Sequence, residues 1–110
     1  MKGGSMRSLM FKVNAQKIVR DPECDFTGIV AGTKGYLKAK FIFTEEWNGC
    51  ILVASFWKGS EEHAVRIVNN ECDIPPEALT GATFKVSVTG KRRDFLIKTN
   101  RVLVVQEVNR

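Results

Sequence analysis

YLKAKFIF, residues 36–43, decides the fold class. Leu37, Ala39, Phe41 and Phe43 recur at every second position, with Lys38 and Lys40 between them. A period of two puts the apolar set on one face of a strand and the lysines on the other. TFKVSVTG (83–90) repeats the pattern, with Phe84, Val86 and Val88 against Lys85, Ser87 and Thr89. HAVRIV (63–68) puts His63, Val65 and Ile67 on one face, FLIK (95–98) and VLVVQEV (102–108) complete the set of strands, and FKVNAQKIV (11–19) alternates more loosely, with a bulge expected near Ala15. CILVASFW (50–57) is apolar at nearly every position and reads as a central strand covered on both faces.

The segments between these runs carry turn chemistry. DPECD (21–25), GTKG (32–35), EEWNG (45–49), KGSEE (58–62), NNE (69–71), GKRRD (90–94) and KTNR (98–101) are rich in Gly, Asn, Asp or Pro. No stretch holds a helical period. About seven short strands at this spacing predict an all-β antiparallel sandwich.

ECDIPPEAL (71–79) interrupts the alternation. Pro75 and Pro76 have no N–H to give a ladder, so the strand must end near Ile74. Proline is tolerated at the start of a helix, so one short helical turn is predicted at 76–79. Ile74 and Leu79 are expected to close one end of the core, with the chain crossing there from one sheet to the other. The predicted sandwich core is Phe41, Phe43, Leu52, Ala54, Phe56, Ile67, Phe84, Val86 and Val104.

The 110 residues fit one domain, assigned to 6–110. MKGGSM opens with a Gly-Gly-Ser linker ahead of a second methionine, so residues 1–5 read as an appended leader or disordered tail, with a native start at Met6 or Met10. No apolar run reaches the roughly 20 residues that cross a bilayer, and no signal-peptide core precedes the first strand, so no membrane partner is expected. Cys24, Cys50 and Cys72 are odd in number and lack zinc spacing, which predicts free thiols in a reducing compartment.

Chemistry is weakly signalled. His63 is the one histidine, and the pairs Glu45–Glu46 and Glu61–Glu62 are adjacent residues that point to opposite faces of a strand. No phosphate-binding glycine motif or acidic calcium loop is present. The reading is therefore not an enzyme, with no catalytic, cofactor-binding or metal-ligating residue nominated. The net charge is +5, and the basic residues cluster late in the chain. Lys91, Arg92 and Arg93 in the predicted hairpin are candidates for contact with an acidic partner or nucleic acid, although a solvated edge that blocks strand-to-strand aggregation is the favoured explanation at this modest charge. Trp57 and Tyr36 are candidate stacking residues for a partner or a sugar. Trp47, beside a turn, reads as a core plug.

The order KAKFIFTEEWNG, CILVASFWKG, and NNECDIPPEALTGATFKVSVTGKRRDFLIKTN resembles a group of small proteins from phages and prophages of Gram-positive bacteria. Their shared pattern is F-x-F-x-x-x-W-x-G, a strand ending in Phe, a C-x-I-P-x-E-x-L corner, and a Gly-containing hairpin followed by Thr. Phe41, Phe43, Trp47, Gly49, Phe56, Cys72, Ile74, Pro75, Glu77, Leu79, Gly90 and Thr99 occupy those positions. The resemblance spans about Phe11 to Val108. Pro76 and the basic residues of GKRRDF depart from the pattern. It implies an immunoglobulin-like sandwich and a virion structural role, in a tail or baseplate. The partners would be other virion proteins or a second copy, and the locations the host cytoplasm during assembly and then the virion. The alternatives are a phage accessory protein that binds a host factor or nucleic acid through residues 91–93, and a carbohydrate-binding module.

Overall fold

The computed structural model describes residues 5–108. Nine strands run in the order β1 (Arg7–Asn14), β2 (Lys17–Arg20), β3 (Leu37–Phe43), β4 (Ile51–Lys58), β5 (Glu61–Ile67), β6 (Glu71–Asp73), β7 (Thr83–Arg92), β8 (Phe95–Lys98) and β9 (Val102–Val105), with 3-10 turns at Glu45–Trp47 and Pro76–Leu79. They form two sheets. The first is ordered β2-β1-β3-β6 and the second β5-β4-β7-β8, with β9 also on β7. β8 and β9 share one side of β7, each pairing with one half of its length.

Alternation does what it predicts. Leu9, Phe11, Val13, Ala39 and Phe41 of the first sheet, and Ala54, Phe56, Phe84, Val86, Val88 and Val104 of the second, form one buried core. Phe43 and Leu52 pack against it from partly buried positions. In the first sheet Phe26, Phe11, Phe41, Phe43 and Trp47 make a continuous aromatic series, each ring 5.4 to 5.8 Å from the next. Truncating a ring at the centre of such a series leaves a void that costs about 3–5 kcal/mol.

ECDIPPEAL forms the expected corner. β6 pairs with β3, and the Ile74 N–H adds one bond to the Leu37 carbonyl before the prolines end the ladder. Ala78 N–H then closes a 3-10 turn on the Pro75 carbonyl, and Ile74, Ala78 and Leu79 are buried. The next strand, β7, lies in the other sheet.

The structure corrects three expectations. β1 and β3 pair in parallel, from Arg7↔Leu37 to Val13↔Phe43, so the first sheet is mixed and not antiparallel throughout. A parallel pair needs a long crossover, and residues 21–36 supply it. Arg7 anchors that segment by donating from its guanidinium to the carbonyls of Gly28, Asp25 and Thr27. Secondly, residues 11–19 are a hairpin and not one bulged strand. Asn14 pairs with Lys17 across a two-residue turn in which Ala15 has φ 52°. Glu71–Asp73 forms a further strand, which with the split hairpin raises the number from about seven to nine. Thirdly, β4 is central in its sheet but is not covered on both faces, because Ile51 is exposed on the outer side. Apart from Ser5, the leader assigned to residues 1–5 lies outside the described residues.

Candidate binding face

Strand register builds the outer face of the second sheet row by row. Trp57 lies beside Glu62 on β5 and Lys85 on β7; Ser55 lies beside Ala64 and Ser87; Val53 lies beside Arg66 and Thr89; Ile51 lies beside Lys91. The row of Ser55, Ala64 and Ser87 holds only small side chains between taller rows. A shallow cavity of about 230 Å³ opens over it, lined among others by Ser55, Trp57, Glu62, Ser87, Lys98 and Arg101.

Its polar groups are organised. Ser55 Oγ donates to Glu62 Oε2, and Trp57 Nε1 donates to Ser87 Oγ at 3.0 Å. The Arg101 guanidinium stacks 3.5 Å from the centre of the Trp57 ring. The furrow thus carries a carboxylate on one side and two cations, Lys98 and Arg101, on the other. Exposed apolar side chains flank it: Ile51 and Leu96 towards the end marked by Lys91, and Leu103 and Val105 towards the end marked by Trp57.

The candidate residues do not converge. Lys91 and Trp57 face the same side of the sheet but sit six residues apart along β4 and its partner, roughly 20 Å at the rise of a strand. Tyr36, 47% exposed, precedes β3 in the other sheet. Arg92 is committed within the fold. Its Nη1 donates to the carbonyls of Glu46 and Asn48 and to Cys50 Sγ, and its guanidinium lies 4.0 Å over Phe95. Arg93 occupies the hairpin turn at φ 49°. Only Lys91 and Arg93 of the three project freely. Trp57 keeps one ring face under Arg101, which reduces it as a sugar platform.

Glu61 and Glu62 diverge as adjacent strand residues must, whereas Glu45 and Glu46 lie in the 3-10 turn Glu45–Trp47 and not in a strand. Glu61 contacts His63 Nε2 at 3.2 Å, whereas Glu62 turns to Ser55. Trp47 is the core plug expected, 2% exposed, with Nε1 donating to the Ala15 carbonyl at 2.9 Å. All three cysteines are free thiols. Burial pushes the Cys72 thiol up to about 12, and the neighbouring Asp73 and Glu71 carboxylates add to the effect. Among the described residues, no group of three His, Cys, Asp or Glu side chains is placed to hold a metal, and no helix is long and apolar enough to cross a membrane.

Ser55, Ser87, Glu62, Lys98 and Arg101 had no sequence signal as a group. Each sits in a different strand or turn, and only the register of β4, β5 and β7 sets them side by side. A hint lay in Ser55, the one polar residue within an otherwise apolar run. No protein-family model matches the chain, and no curated protein is found to be related to it.

Proposed function

We propose that the protein is an immunoglobulin-like module that works by protein–protein contact and catalyses no reaction, as a component of a phage or prophage particle. The observation that carries this reading is the outer face of the β5-β4-β7-β8 sheet. Ile51, Leu96, Leu103 and Val105 are exposed at its two ends, around a furrow of hydroxyl and charged groups. A pair of exposed apolar side chains at each end of one sheet face, with charged and hydroxyl groups between them, offers contacts to a docked protein, since large apolar side chains grouped on a surface mark interaction sites. The setting rests on the motif resemblance, whose positions are mostly core and corner residues: Phe41, Phe56, Trp47, Ile74 and Leu79 are all buried. The parallel β1–β3 pairing is a local departure from an all-antiparallel sandwich.

Nucleic-acid binding through residues 91–93 is the second reading, and Arg92's engagement with the 45–48 turn counts against it. The test is to introduce Ile51→Asp and Leu103→Asp into the phage or prophage genome that encodes the chain and to analyse purified particles by mass spectrometry. The wild-type chain should be present in particles. The variants, folded by circular dichroism, should be lost from them. Absence of the wild-type chain from particles would overturn the reading.

A further inference from the structure

We infer that β5 is a self-pairing edge, through which two copies of this chain join their second sheets into one continuous antiparallel sheet. β5 is the long open edge of the described structure. β2 has only four residues, and its Ile18 N–H is taken by Asn100 Oδ1 at 2.8 Å. β6 has three residues, and β8 and β9 have four each, separated by Thr99–Arg101. β5 runs over seven residues with no proline, lysine or bulge to blunt it.

Its backbone phase is fixed by the hairpin. Lys58 pairs with Glu61 across the two-residue turn Gly59-Ser60, so Glu61, His63, Val65 and Ile67 bond inward to β4. Glu62, Ala64 and Arg66 therefore present their N–H and C=O groups to solvent. An antiparallel copy can satisfy all of them in the register that places Ala64 opposite the partner's Ala64. In that register Glu62 lies opposite the partner's Arg66, and Arg66 opposite the partner's Glu62. The two charge pairs are generated by the same two-fold axis, as an isologous contact requires. Shifting the register to put Glu62 or Arg66 on the axis opposes like charges, which disfavours it. Ala64 is exposed and small, so nothing at the axis holds the backbones apart.

The contact is short, so association should be weak and visible only at high protein concentration. Sedimentation equilibrium on the full chain should show a concentration-dependent approach to twice the monomer mass, weakening with salt. Ala64→Pro removes an outward N–H at an edge position where proline is tolerated and should give a monomer with an unchanged circular dichroism spectrum. Arg66→Glu and Glu62→Arg should each lower self-association by about tenfold or more. Mixed in equal amounts, these two variants should restore a dimer, because each then meets its opposite charge across the axis. A wild-type chain that stays monomeric at its solubility limit, or a dimer unaffected by Arg66→Glu, overturns the inference. Failure of the mixed pair to associate overturns the register.

Discussion

A Cβ added to Gly90 would lie 2.7 Å from the Trp47 ring. The glycine is demanded here by space and not by backbone conformation. The indole occupies the end of the core between the β1–β2 turn and β7, and its Nε1 bond to Ala15 fixes its position. Gly90→Ala must displace a buried ring held at both ends. It should cost about 1–3 kcal/mol, measured as a lower urea midpoint together with a shift in tryptophan emission. An unchanged midpoint would mean that the ring has room to move.

Ala15 holds φ 52° because its backbone is gripped on both sides. Its N–H donates to Thr44 Oγ1 at 2.9 Å, and its carbonyl accepts from Trp47 Nε1. The left-handed region costs an L-residue with a Cβ roughly 1–2 kcal/mol. Ala15→Gly should therefore stabilise the protein, by up to about 1 kcal/mol after the added entropy of the unfolded chain. Equilibrium unfolding decides this, and a loss of stability would show that the turn carries no strain.

This turn marks where the sequence stopped being legible. Alternation reports which face of a strand is buried, and that is why Phe41 and Phe84 were readable as core from their spacing alone. The corner at Pro75-Pro76 was readable because proline removes a donor in any context. The two central residues of this turn, Ala15 and Gln16, are neither Gly, Asn nor Pro, and its shape is held by Thr44 and Trp47 from distant sequence. Parallel pairing of β1 with β3 was hidden for the same reason, since both strands would alternate identically in either direction. The furrow was hidden because period two gives a residue's face but not its neighbour across the ladder.

Cys72 should behave as a packing residue. Its folded value of about 12 lies above its ordinary 9.0, so the protonated thiol of the native state adds stability that is intact below pH 9. That contribution is lost as pH rises from 9 towards 12, where the unfolded chain ionises first. The urea midpoint should fall across this window in the wild type and less steeply in Cys72→Ala. At pH 8 a thiol reagent should modify Cys24 and Cys50 well before Cys72. Early labelling of Cys72 in the folded protein would contradict its burial.

The basic hairpin divides into one structural and two solvated residues. Arg92→Ala should lower stability, because the carbonyls of Glu46 and Asn48 lose their shared donor and Phe95 loses its cation. A loss of about 1–3 kcal/mol is the scale for such charge-assisted bonds. Lys91→Ala and Arg93→Ala should change stability little. No salt-sensitive retardation of DNA or RNA is expected at physiological ionic strength, and retardation that disappears on changing all three residues to Ala would reverse the order of the functional readings.

The parallel β1–β3 pair also dictates an order of assembly. β4–β5 and β7–β8 are closed by two-residue turns, so their ladders form with little loop entropy to overcome. Arg7 meets Leu37 only after β2 and the whole of residues 21–36 have been drawn into a closed loop. β7, with β8 and β9 paired to it from nearby in sequence, is thus the early scaffold of the folding reaction, and the long-range β1–β3 and β4–β7 ladders close later. Val13→Ala in β1 should accelerate unfolding and leave the folding rate nearly untouched, with a φ-value near 0, whereas Val88→Ala in β7 should slow folding. A φ-value near 1 at Val13 would reverse that order. The aromatic series along β1 and β3 is then the surface that late closure leaves open to aggregation.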